Sequence, residues 1–187
     1  MRTAVLGLLM LLLAACGSSP PTRFYALDAP GAAPGVRALP GPSIAVGPVT
    51  MPESVDRAQL VTRRAANELR IEEFSQWAAP LGAEIARVIA EQLSLQWPEA
   101  RVTPSAAAPA QPDLRVAIDV RRFELTPGEG AALDATWSVS SEGRVLRSGR
   151  AAFTEAASDP SMEALVAAQS RGVVRLARDI AAALPVR

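Results

Sequence analysis

The chain has 187 residues, in which 19 basic side chains balance 19 acidic ones, with one cysteine, no histidine and arginine as the only basic residue type. Such a chain cannot by itself assemble a Ser-His-Asp triad, a Cys-His pair, a Ser-Lys dyad, a Schiff-base lysine, a His/Cys zinc site or a P-loop. Its zero formal charge and scattered arginines also lack the basic footprint of a nucleic-acid binder.

Residues 1–15 carry one charge at Arg2, an apolar run from Ala4 to Leu13 and two alanines before Cys16, the three-part layout of a secretory signal peptide. A membrane-spanning helix is the competing reading, but a span takes about 20 apolar residues. Gly17-Ser18-Ser19-Pro20 breaks this run well before that. A lone cysteine in an exported chain has no disulfide partner and needs another explanation. Leu13-Ala14-Ala15-Cys16 resembles a bacterial lipobox. The resemblance implies cleavage before Cys16, a covalent diacylglycerol on its sulfur, an N-acyl lipid on its new amino group, and no other cofactor. Each buried methylene contributes about 0.8 kcal/mol, so one acyl chain holds weakly and several hold firmly. By the enterobacterial sorting pattern, Gly17 rather than aspartate after the cysteine implies the periplasmic face of the outer membrane. The expected organisation is a signal peptide over 1–15, a lipidated tether over 16–22 and one periplasmic domain over 23–187, a size within the usual single-domain range.

In the domain, Phe24-Tyr25-Ala26-Leu27 reads as a short first strand, followed by a Pro/Gly/Ala loop from Ala29 to Pro42. Ser43 to Val49 reads as a second strand stopped by Gly47-Pro48. Extended segments around Leu60–Arg64 and Glu68–Trp77, joined at Ala65-Ala66-Asn67, predict a hairpin. After Pro80, in a first helical turn, Leu81, Ile85, Val88, Ile89 and Leu93 recur at helical spacing until Trp97-Pro98. Thr103–Pro112 is a low-complexity surface loop. Leu114, Val116, Ile118 and Val120 then alternate, and Arg121-Arg122 shifts the phase to Phe123 and Leu125, as a β-bulge does. Leu133, Ala135, Trp137 and Val139 alternate again, Ser141-Glu142-Gly143 turns the chain, and Arg144 to Thr154 returns, predicting an antiparallel meander. Asp159 caps a last helix with Pro160 at its first position and a stripe of Met162, Leu165, Val166, Val173, Leu176, Ile180 and Leu184.

The expected fold class is α+β: a mixed or antiparallel sheet with two amphipathic helices packed on one face of a single domain. The only catalytic apparatus the composition leaves is a carboxylate pair, such as Glu72 with Glu73 or Asp119 with Glu124. Adjacent Glu72 and Glu73 diverge in either a strand or a helix, and solvated surface acids are the plainer reading. The chain is therefore expected not to be an enzyme.

Ile44-Ala-Val-Gly-Pro-Val-Thr-Met-Pro52, then Asp56-Arg-Ala-Gln-Leu-Val-Thr-Arg63, then Phe74-Ser-Gln-Trp-Ala-Ala-Pro-Leu81 is similar in order and spacing to the PqiC-type auxiliary lipoproteins of envelope lipid transporters. The resemblance implies an outer-membrane subunit of an MCE-type system, docking a periplasmic tube made by a PqiB-like MCE-domain protein and supporting membrane integrity. It also implies a ring-like homo-oligomer. Read residue by residue, Gly47-Pro48 and Pro52 are turn punctuation, Asp56-Arg57 is a local ion pair and Trp77 is core. Read together, Asp56, Arg57, Gln59 and Arg63 beside Leu60-Val61 have the mix of an interface, where arginine makes forked contacts and apolar neighbours exclude water. Two readings from other classes stand beside this one: a scaffold lipoprotein for cell-wall machinery, and a carboxylate-dependent envelope hydrolase.

Overall fold

Strand pairing places the first strand of the predicted meander at the centre of the sheet and the third at its edge. The computed structural model describes residues 20–31 and 41–184. The expected signal peptide, Cys16 and the start of the tether lie outside them. The described chain forms β1 (Arg23–Tyr25), β2 (Ser43–Thr50), β3 (Gln59–Ala65), β4 (Glu68–Trp77), α1 (Leu81–Gln96), β5 (Arg101–Pro104), a 3-10 turn (Ser105–Ala107), β6 (Leu114–Thr126), β7 (Gly130–Ser141), β8 (Arg144–Ala156) and α2 (Met162–Ala183).

All eight strands join one mixed sheet. Strand β6 is its spine. Along one edge β6 pairs antiparallel with β7, which pairs antiparallel with β8. Its other edge is shared: β2 lies parallel to the N-terminal half, and β3 meets the C-terminal half at Thr62 and Leu125. Strand β2 carries β5 in parallel. Strand β3 carries β4 antiparallel, and β4 carries β1 in parallel, so the β3–β4–β1 group forms a wing of the sheet.

The alternation that predicts the meander also sets its core. Val116 opposes Val139, Ile118 opposes Trp137 and Val120 opposes Ala135; after a register shift between Val120 and Arg122, Phe123 opposes Leu133 and Leu125 opposes Ala131. All ten are buried. The shift at the double arginine keeps Phe123 and Leu125 on the core face, because an inserted residue restores a phase that a regular strand would have lost. Helices α1 and α2 cover this face, with Ile85, Val88, Ile89 and Leu93 of α1 and Leu165, Val173, Leu176 and Ile180 of α2 buried against it. The α+β architecture with two helices on one face of the sheet is thus the observed one.

Four local expectations change. Strand β2 does not stop at Gly47-Pro48 but runs to Thr50, with the Gly47-Pro48 peptide cis and a register shift between Val46 and Val49. A proline without an N–H is tolerated inside a sheet at such an irregularity, and pairing resumes at Val49 and Ile118. The expected Thr103–Pro112 loop begins later, because Thr103 and Pro104 belong to β5 and pair with Ala45 and Val46 on the otherwise free edge of β2. Pro80 is the N-cap of α1, not a residue of its first turn. The cap of α2 is Ser161, whose Oγ accepts from the Ala164 N–H at 3.2 Å, while Asp159 accepts from the Ser161 N–H at 2.8 Å and so orders the turn that leads into the cap.

Candidate interaction surface

The face of the sheet opposite the helices carries the polar half of the alternation in β6 and β7. On β3, Leu60 and Thr62 point into the core beside Leu125, so Val61 and Arg63 lie on the open face, opposite Ile71 and Leu69 of β4. The four residues marked as an interface are divided by this geometry. Asp56 and Arg57 are exposed in a tight turn, where the Val55 and Asp56 N–H groups donate to the Pro52 carbonyl at 3.0 and 3.1 Å. Gln59 begins β3 and pairs with Gln76, which in turn pairs with Phe24 of β1. Asp56, Arg57 and Gln59 therefore share the base of the β3–β4 hairpin. Arg63 sits four residues further on, roughly 13 Å along the strand, near the hairpin tip.

Arg63 is committed to the fold. It pairs with Glu124 of β6 and donates through Nη1 to the carbonyls of Ala65 and Ala66 at 3.3 and 2.8 Å. Arg122 donates through Nε to the other oxygen of Glu124 at 2.7 Å. Burial alone would raise the Glu124 carboxyl, but the two guanidiniums outweigh it and hold it below the usual carboxylate range. The cluster ties the hairpin to the spine of the sheet beside a cavity of about 150 Å³ lined by Val55, Val61, Leu69 and Phe123 among others. The local ion pair expected between Asp56 and Arg57 is not formed; neither residue takes part in an ion pair among the described residues. Without that bond, the exposed Arg57 guanidinium is available to another molecule. Trp77 is core, as expected, at 6% exposure.

The carboxylates weighed as a catalytic pair are engaged separately. Asp119 accepts from Thr50 Oγ1 at 2.7 Å, and Glu124 is held by its arginines. Five residues of β6 separate the two, roughly 15 Å at strand rise, against the roughly 5–9.5 Å across which paired glycosidase carboxylates act. Glu72 accepts from Thr62 Oγ1 at 2.7 Å. Elsewhere on the open face Arg150 makes a forked pair with Asp134 at 2.9 and 2.6 Å, beside a broad depression of about 510 Å³ lined by Thr50, Asp119, Thr136, Ser138 and Ser148 among others.

These contacts give the domain a definite acid response. Asp113 is held low by Ser43, Asp134 by Arg150 and Asp159 by Ser161, in addition to Glu124. A carboxyl with a depressed folded pKa is protonated more readily in the unfolded chain, so its contribution is present above the unfolded value and lost as pH falls through the folded one. Histidine is absent, so the chain lacks the side chain whose ordinary value lies near neutrality. The melting temperature should be flat from about pH 5.5 to 8.5 and fall steadily below about pH 4. Melting curves across that range check it; a slope between pH 6 and 8 would contradict the assignment.

Residues 25–181 match the protein family described as the ABC-type transport auxiliary lipoprotein component. No curated protein matches the sequence. Among solved structures, the crystal structure of an uncharacterized protein superposes with a TM-score of 0.71 at 17% identity, covering 89% of this chain and 100% of that one. The crystal structure of protein XCC0632 from Xanthomonas campestris, assigned to the family DUF330, superposes with a TM-score of 0.63 at 19% identity, covering 84% of this chain and 92% of that one. Both likenesses are of fold.

Proposed function

The chain belongs to the ABC-type transport auxiliary lipoprotein family, and on that premise we propose that it is the outer-membrane-anchored lipoprotein subunit of an MCE-type intermembrane lipid transport system. In this reading Cys16 carries the lipid, the domain docks a periplasmic tube of MCE domains at the outer membrane, and several copies form a ring around it. The observation that carries the reading is the family match itself, which takes in β2 to β8, all of α1 and nearly all of α2. Cys16 stands just ahead of the matched region, where an anchor holds the whole domain near its membrane.

The docking surface in this reading is the hairpin base with Asp56, Arg57 and Gln59. Its exposed arginine and acid have no ion-pair partners of their own among the described residues, so engaging them breaks nothing in the fold. Forked arginine contacts at such a site fix orientation as well as contributing affinity. Arg57→Glu should leave folding stability within about 0.5 kcal/mol, as for an exposed side chain outside any network. The same change should weaken assembly by about 2 kcal/mol, the scale of an interface hot spot. A melting curve set beside sedimentation of the same variant separates these effects. Photo-cross-linking from position 57 in the intact envelope tests the function. Capture of an MCE-domain protein or of a second copy is the expected result; capture of a cell-wall enzyme would instead favour the scaffold reading.

A further inference from the structure

Strand β4 and its neighbour β1 leave large apolar side chains exposed. Leu69 and Ile71 are each 44% exposed, Phe74 is 39% exposed, and Phe24 on the adjoining β1 is 66% exposed. Leu69 and Ile71 lie toward the tip of the hairpin, on the face opposite the helices. Beyond β1, whose three residues pair only with Ser75, Gln76 and Trp77, the outer edge of β4 is unpaired within the described chain.

The direction of β1 says what faces this strip. Because β1 runs parallel to β4, with Arg23 level with Ser75, the chain that leads into β1 arrives from the direction of the hairpin tip. Seven residues separate Arg23 from Cys16, a reach of at most about 25 Å. Seven residues also separate Ser75 from Glu68 at the start of β4, roughly 23 Å of strand. The cysteine can therefore stand level with the tip, at the β4 edge of the hairpin that carries Leu69 and Ile71. Arg64, also near the tip, is exposed and has no ion pair among the described residues, which leaves a forked donor suited to a lipid phosphate. Asp56, Arg57 and Gln59 lie at the other end of the hairpin.

We propose that the hairpin tip, through Leu69 and Ile71, rests in the surface of the bilayer that holds the Cys16 lipid. The proposal rests on the lipid-anchor reading above and adds an orientation to it: tip in the membrane, base toward the periplasm. A tether alone would let the domain tumble; a weak second contact beside a firm anchor fixes which end a partner meets, because the tether keeps the tip at high effective concentration at the surface.

The lipidated full-length protein carries no free thiol once Cys16 is modified, so a cysteine introduced by substitution is uniquely labelled. Leu69→Cys and Ile71→Cys, with Val145→Cys on β8 as the distant control at 60% exposure, are labelled with an environment-sensitive fluorophore. Each is bound to vesicles of phosphatidylethanolamine and phosphatidylglycerol containing a spin-labelled quenching lipid. Flotation of the vesicles reads the anchor independently. Apolar groups of interfacial segments sit about 5–10 Å into the headgroup region, so labels at 69 and 71 should lose about half their emission while the label at 145 is unchanged. Flotation with equal signals at all three positions would overturn the proposal and leave the anchor standing. Shielding at 69 and 71 that grows with protein density and ignores the quenching lipid would overturn it in favour of a second copy. Failure to float would overturn the anchor and the proposal together.

Discussion

Replacing Cys16 by Ser should abolish lipid attachment completely and release from the membrane every copy whose signal segment is cleaved. A serine hydroxyl cannot supply the thioether, and the unmodified chain should accumulate as an uncleaved precursor or a soluble periplasmic form. The size of the effect follows from what else could hold the protein. Among the described residues no helix is long and apolar enough to cross a membrane. A single myristoyl chain binds with only about 10⁴ M⁻¹, and two or more lipid chains are needed for a stable anchor. The hairpin tip contributes only a few exposed side chains and is weaker still. Membrane fractionation with labelled palmitate checks the result: the wild type should be labelled and pelleted, the variant unlabelled, with any pelleted variant confined to the uncleaved precursor. Palmitate found on the Cys16→Ser protein would place the lipid elsewhere and remove the basis for a lipoprotein anchor at this position.

What the sequence discloses of this fold depends on how local the determining interaction is. Strands β6, β7 and β8 are legible because one face of a long antiparallel meander is buried, and alternation over many residues records that face directly. The bulge at Arg121-Arg122 is legible for the same reason, since it interrupts a long pattern. Strand β5 is not legible: its four residues show no alternation and owe their state to the free edge of β2, far away in sequence. The passage of β2 through Gly47-Pro48 likewise depends on the register offered by β6. In α2 the stripe gives the buried face but not Gln169, which is 1% exposed within it and whose amide atoms find no partner among the described residues. Around the candidate site, the alternation of Leu69-Arg70-Ile71-Glu72 shows that one face of β4 is apolar. Which side of the sheet that face takes is decided by Leu60 and Thr62 on β3, whose burial beside Leu125 forces Leu69 and Ile71 outward. The commitment of Arg63 to Glu124 is equally non-local, as its partner lies 61 residues away.

Trp77→Ala should cost the domain about 3–5 kcal/mol, the usual range for truncating a buried large aromatic side chain. Trp77 closes β4 at the joint between the wing and the core. Its ring meets Phe123 edge-on, with centroids 6.1 Å apart and planes at 69°, an arrangement worth about 0.5–1.5 kcal/mol beyond the area it buries. Its backbone N–H donates to the Ala58 carbonyl at 2.7 Å, and its backbone is level with Tyr25, the last residue of β1. Trp77 thus couples the tether strand and the hairpin base that carries Asp56 and Arg57 through its backbone, and the spine of the sheet through its ring, which is the link that Trp77→Ala removes. Total stability for a domain of this kind is about 5–15 kcal/mol, so the loss is a large part of it. Trp77→Phe keeps an aromatic edge for Phe123 and should lose only about half as much. Denaturant midpoints for both variants test this, with assembly measured on the same samples. If Trp77 builds the joint, midpoint and assembly fall together and Trp77→Phe restores most of both. An Ala variant with an unchanged midpoint and lost assembly would instead make this residue a contact for the partner.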